Sequence, residues 1–181
     1  FKDAKYSAER ERSVGLGVMG FHSFLQKHRI PLESVMAKAW NKKIFKRIDE
    51  QVNKASKDLA EERGACPDAA EYGYKERFSN KTAIAPTASI SIICGGASPG
   101  VEPIAANSYT HKTLSGSFNV RNRYLEEILE SHGKNDDETW STITTNQGSV
   151  SHLDFLTDLE KDVFKTAFEL NQKWIIELSG D

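Results

Sequence analysis

Ala37, Trp40, Ile44, Ile48, Val52, Ala55 and Leu59 recur at steps of three or four. That spacing lays one apolar stripe along a single long helix of residues 34–63, with Ser34 suited to cap its start and Gly64 to end it. Such a stripe reads as core and not as a binding groove. Two further helical blocks flank the middle of the chain. Residues 9–28 read as a helix, although Gly15, Gly17 and Gly20 each weaken it by about 1 kcal/mol relative to alanine and are read as permitting close packing. The last block places Leu156, Leu159, Val163, Ala167, Leu170, Trp174 and Leu178 on one face, with Thr157-x-x-Glu160 as a capping box. Shorter helices are expected over 122–132 and 136–146. The pattern still runs at Leu178, and the chain starts without Met. Both ends read as cut, which leads to the expectation of one segment of a larger fold.

Composition narrows the class. With 38% hydrophobic and 28% charged residues the chain can bury a core and is too apolar to be disordered. Residues 1–63 carry 14 basic and 9 acidic side chains, whereas residues 124–181 carry 4 and 13. The lysines of the first third lie along the outer face of the long helix, a solvated face, and the acidic last third argues against a phosphate-backbone partner. No nucleic acid is therefore expected as a partner. No apolar run approaches ~18 residues, and the start Phe1-Lys2-Asp3-Ala4-Lys5 fits neither a signal nor a transit peptide, which reads as cytoplasmic with no membrane partner. The two cysteines, Cys66 and Cys94, form no Cys-x-x-Cys, so neither a disulfide scaffold nor a zinc site is expected, and no other metal site is. Gly15-x-Gly17-x-x-Gly20 lacks the preceding strand that a dinucleotide fingerprint needs.

Residues 81–103 carry the chemistry. Thr82–Ala85 is a short candidate strand, Pro86 fixes φ, and Thr87 and Ser89 are good N-cap types before an apolar turn at Ile90, Ile92 and Ile93. Strand, tight turn and helix start present unpaired N–H groups and the positive end of a helix dipole, which favour an anion, and the natural ligand is a phosphate. A plain corner in which Thr87 or Ser89 caps its own helix fits the same residues. The Walker sequence Gly-Lys-Ser/Thr is missing. Gly95–Gly100 is a loop needing permissive dihedrals. Glu102 reads either as a general base or as an exposed carboxylate, and His111 carries the same ambiguity.

Ala85-Pro-Thr-Ala-Ser-Ile-Ser91, then Gly95-Gly-Ala-Ser-Pro-Gly-Val-Glu-Pro103, then Asn107-Ser-Tyr-Thr-His-Lys-Thr-Leu-Ser-Gly-Ser-Phe-Asn-Val-Arg-Asn122 resemble the large (α) subunit family of class I ribonucleotide reductases. Arg12 to Phe21, Glu62-Arg-Gly-Ala-Cys-Pro67 and the stretch from His152 to Phe168 agree. The resemblance implies an α/β fold: a predominantly helical segment, residues 1–181, from the later part of a ten-stranded α/β barrel, incomplete on its own and without the ATP cone or the Cys-bearing C-terminal tail. It implies that Pro86, Thr87, Ala88, Ser89 and Ile90 cradle the diphosphate of a ribonucleoside diphosphate, with Ser91 adjacent. Ala88 stands where many relatives have Gly or a longer polar residue, which leaves its N–H in play.

The resemblance also implies what must come from elsewhere. The family's thiyl-forming Cys has Asn two residues before and Glu two residues after, and neither Cys66 nor Cys94 has those neighbours. No catalytic residue, and no directly bound cofactor, is thus expected in this chain. The expected partners are the remaining segments of the large subunit, a radical-generating, metal-containing small (β) subunit and a dithiol reductant. The complete enzyme would be an allosteric, ATP-binding oxidoreductase making DNA precursors. A non-catalytic helical module that binds an anion or a partner is the alternative reading.

Overall fold

The computed structural model describes residues 1–114 and 116–180, without the side chain of Thr113. The chain divides into two units: Phe1–Val18 with Trp40–Ala85, and Met19–Ala39 with the chain from Pro86 onward.

In the first unit, helix α1 (Lys2–Glu11) stops at Arg12, which turns left-handed at φ 49. The expected helix over 9–28 does not form. Its glycine-rich middle runs extended beside residues 80–83: Val14 N–H donates to Asn80 O at 3.0 Å, Leu16 N–H to Lys81 O at 3.1 Å, and Ala83 N–H to Leu16 O at 3.1 Å. The glycines do serve close packing, against a strand-like segment and not across a helix. A Cβ on Gly15 would lie 2.8 Å from Ala83 Cβ, and one on Gly17 would lie 2.7 Å from Ala83 O. The candidate strand 82–85 shrinks to one parallel bridge, Leu16 with Thr82. The long helix α3 (Val35–Arg63) starts one residue later than expected and ends before Gly64, whose φ is +81. The Arg77 guanidinium closes it by donating to the Arg63 and Gly64 carbonyls, both at 3.0 Å. Beyond Ala37 its stripe is half-buried at Trp40, Ile44, Ile48, Val52 and Leu59 and exposed at Ala55, and Ser56 and Ala60 are the buried positions of its later turns. Helix α4 (Pro67–Glu71) is tied to α1 by Arg10, which pairs with Asp68 and Glu71.

The second unit begins with α2 (Phe21–Lys27), entered through Gly20 at φ +84. Ser34 caps α3 as expected, its Oγ accepting from Ala37 N–H at 3.1 Å. Helix α5 (Ala88–Ile93) leads to an antiparallel hairpin, β1 (Ser108–Thr113) with β2 (Gly116–Arg121), in which Tyr109 faces Val120 and His111 faces Phe118. Helices α6 (Arg123–Ser131) and α7 (Asp137–Thr145) match expectation within a residue and are capped by the side chains of Asn122 and Asp136. Leu125, Leu129, Trp140, Ile143 and Phe164 form one core, and Leu25, Leu32, Ala37, Leu170 and Leu178 a second.

The last block is not one helix. Helix α8 (Asp158–Val163) carries the expected capping box of Thr157 and Glu160, but the chain leaves helix before α9 (Gln172–Gly180). Tertiary bonds replace the helical ladder there. Asn107 Nδ2 donates to Phe164 O at 2.7 Å, Ala167 N–H donates to Ile104 O at 2.9 Å, and Glu33 accepts from Asn171 N–H at 2.7 Å. Leu159, placed on the apolar face by its spacing, is exposed. Among the described residues the architecture is thus mostly helical with one small sheet.

Candidate functional site

Strand-like segment, turn and helix start follow one another at 82–93 as the sequence implies. Thr87 makes the turn in the left-handed region, φ 51 and ψ 22, which costs a β-branched residue of order 1–3 kcal/mol. The first helical bond of α5 runs from Ser91 N–H to Thr87 O at 2.8 Å. The N–H groups of Ala88, Ser89 and Ile90 precede it and have no acceptor within the helix. Pro86, Ala88, Ser89 and Ile90 are exposed and Thr87 is half-buried, so those amides sit at the surface.

The expected capping role of Thr87 or Ser89 is not fulfilled. Thr87 occupies the N-cap position without a side-chain capping bond; its Oγ1 accepts instead from Gly100 N–H at 2.8 Å. The competing use for that oxygen lies 13 residues downstream, where the sequence alone does not reveal it.

A cleft of about 950 Å³ opens beside α5. Its walls include Ala88, Ser91, Cys94, Glu102, Tyr109 and Arg123, so of the five residues assigned to the phosphate only Ala88 lines it. Glu102 is exposed on it, and His111 is half-buried in β1 beyond the lining residues. Cys94 is exposed and Cys66 buried, both as free thiols. Arg123 Nη2 donates to Gly95 O and holds the C-terminal end of α5. The Arg121 guanidinium pairs with Asp137 at 2.7 Å and lies 5.1 Å from the Trp140 ring centroid.

Two polar groupings that sequence reasoning missed shape this region. The first is an amide network: Asn122 Nδ2 donates to Gln26 Oε1 at 2.9 Å and to Asn107 Oδ1 at 2.8 Å, while Asn107 Nδ2 donates to the Gly148 and Phe164 carbonyls. Gln26 and Asn107 are essentially inaccessible, so each bond spares a buried group an unpaired state. The second is a clasp on α2. Ser98 N–H donates to Ser23 Oγ at 2.8 Å, Ser23 N–H to Ser98 Oγ at 3.2 Å, and Ile104 N–H to His22 Nδ1 at 2.9 Å. Because Nδ1 accepts, the neutral ring carries its proton on Nε2, which has no partner and is buried. Burial without a compensating charge pushes the His22 pKa down to about 4. The only sequence signal for the clasp is a run of small residues, 95–100, which reads as a loop and nothing more.

No helix among the described residues is long and apolar enough to cross a membrane. The family profile described as "Ribonucleotide reductase, barrel domain" matches residues 1–76 and 68–181. The chain is 48% identical over 179 residues to the ribonucleoside-diphosphate reductase large subunit of Invertebrate iridescent virus 6, which covers 97% of this chain and 18% of that protein. It is 44% identical over 183 residues to the large subunit of Invertebrate iridescent virus 3, covering 99% of this chain and 29% of that one. Among solved structures, the Actinobacillus ureae class Id ribonucleotide reductase alpha subunit superposes with a TM-score of 0.87 at 40% identity, over 96% of this chain and 31% of that chain. The chain therefore spans less than a third of the length of these relatives. Profile, identity and superposition agree across both units, and the chain belongs to the ribonucleotide reductase large-subunit barrel family.

Proposed function

We propose that this chain forms part of a ribonucleoside-diphosphate reductase, as a segment of the ten-stranded α/β barrel, and supplies its diphosphate-binding loop. Pro86, Thr87, Ala88, Ser89 and Ile90 hold the diphosphate of a ribonucleoside diphosphate through the amides of the first turn of α5. The observation that carries this reading is the left-handed Thr87 followed by three surface amides free of helical acceptors. Such donors favour an anion and cost no reorganisation when it arrives. Holding the diphosphate fixes the ribose for attack at its 3′ hydrogen by a cysteine radical from outside these residues, with a dithiol supplying electrons. The radical would originate in a metal-containing small subunit. The cytoplasm is the proposed location.

The test is steady-state kinetics of an intact large subunit carrying these residues. Thr87→Pro cannot keep φ 51 because the ring holds φ near about −65°, and Ser89→Asp sets a negative charge beside the phosphate. Each is expected to raise the substrate KM by about tenfold or more, the equivalent of one lost charge-assisted bond of ~1.4 kcal/mol, with a smaller change in kcat. An unchanged KM in both variants rejects the assignment.

A further inference from the structure

We propose that Ser23, with His22 beside it on the first turn of α2, positions the 86–90 loop by keeping Thr87 from capping its own helix. The inference rests on the diphosphate reading of that loop and adds residues more than sixty positions upstream to its machinery.

The argument follows one path of hydrogen bonds. Gly20 N–H donates to Ser98 O at 2.7 Å, and Ser23 and Ser98 exchange side-chain and backbone bonds, with Ser23 5% and Ser98 1% exposed. His22 Nδ1 then takes the Ile104 N–H. Segment 98–104 is thereby pinned to α2 at both ends. Between the pins lies Gly100, at φ +44, whose N–H donates to Thr87 Oγ1.

A threonine at an N-cap ordinarily takes extended dihedrals and accepts, through its oxygen, the N–H of the second or third helical residue. Here those donors are Ser89 and Ile90, two of the three amides offered to the anion. The Gly100 bond draws Thr87 Oγ1 away from them and accompanies the left-handed backbone. Thr87 Oγ1 thus has two competing uses: bonded to Gly100 it leaves all three amides to the anion, and bonded to its own helix it takes the N–H of Ser89 or Ile90 out of the cradle. The clasp on α2 favours the first.

The test is a pyrophosphate titration of the chain followed by amide NMR, together with hydrogen exchange. In the unsubstituted chain pyrophosphate shifts the amides of 88–90, and the Gly100 amide is protected. Ser23→Ala is expected to speed Gly100 exchange at least tenfold and to weaken pyrophosphate binding at least tenfold, with the urea midpoint lowered because the buried Ser98 N–H loses its acceptor. Adding Thr87→Val, isosteric but unable to accept a hydrogen bond, should restore most of the affinity because self-capping is then impossible. If Ser23→Ala does not fold, Ser98→Ala removes the acceptor of the reciprocal bond and must give the same result. The proposal is overturned if Gly100 exchange and pyrophosphate affinity stay unchanged, or if Thr87→Val brings no recovery. Absence of any pyrophosphate shift at 88–90 in the unsubstituted chain would sink the diphosphate reading. Gly100 exchange then decides the clasp by itself: faster in Ser23→Ala supports it, unchanged refutes it.

Discussion

Acidification should weaken the fold through His22 over a defined window. The ring is 2% exposed, its Nδ1 already receives the Ile104 N–H, and no charge offsets a second proton. Protonation at Nδ1 would set two donors against each other, which adds to the cost of burying an imidazolium. The folded pKa of about 4 lies below the ordinary 6.5, so the unfolded chain binds the extra proton first. Stability from this residue is therefore complete above pH 6.5 and is lost as the pH falls toward about 4. A gap of this size amounts to about 3 kcal/mol in full, of which about 2 kcal/mol is gone at pH 5. Urea unfolding at pH 7.5, 6.0 and 5.0, compared between the unsubstituted chain and His22→Gln, isolates the residue, because the other titrating groups cancel in the difference. Asp136, held below its ordinary 3.8 chiefly by the Thr139 N–H, titrates beneath the window. The two chains should diverge by about 2 kcal/mol between pH 7.5 and pH 5. Parallel pH profiles would refute the reasoning and would mean that the imidazole is hydrated or paired in the folded state.

Two substitutions test the packing on either side of the unit boundary. Asn107→Ala strips the side-chain donor from the Phe164 carbonyl and the acceptor from Asn122 Nδ2, while Gly148 O keeps the backbone N–H of residue 107, and should cost about 2–4 kcal/mol by urea denaturation; less than 1 kcal/mol would mean that water replaces the side chain. Gly17→Ala drives a Cβ to 2.7 Å from a backbone oxygen that cannot swing aside, and should cost about 1–3 kcal/mol. A neutral or stabilising result would instead fit the helix that the sequence suggests there.

Much of the local structure was legible before any coordinates. The long helix and its Ser34 cap, the helices behind Asn122 and Asp136, and the Thr157–Glu160 capping box all rest on bonds between residues a few positions apart. Such bonds leave a pattern that periodicity and cap chemistry can read. The order of turn and helix start around Pro86 was legible for the same reason. The hairpin of Ser108–Thr113 and Gly116–Arg121 went unread, although Tyr109 and His111, and again Phe118 and Val120, do alternate with polar neighbours.

Spacing could not decide competitions between partners distant in sequence. Leu156 to Leu178 keep a helical period, yet the ladder breaks where Asn107, Ile104 and Glu33 offer bonds to Phe164, Ala167 and Asn171. The glycines from Gly15 to Gly20 announced close approach but not its partner, and residues 80–83 supply the backbone that turns a weak helix into an extended segment. Thr87 shows the same division within one side chain. Its chemistry as a hydrogen-bonding cap residue was set by the sequence, whereas the placement of Gly100 by Ser23 and His22 chose which N–H it serves. Local preferences differ by up to about 1 kcal/mol per residue, whereas leaving a buried polar group unpaired costs about 1–3 kcal/mol, so tertiary structure decided at these positions.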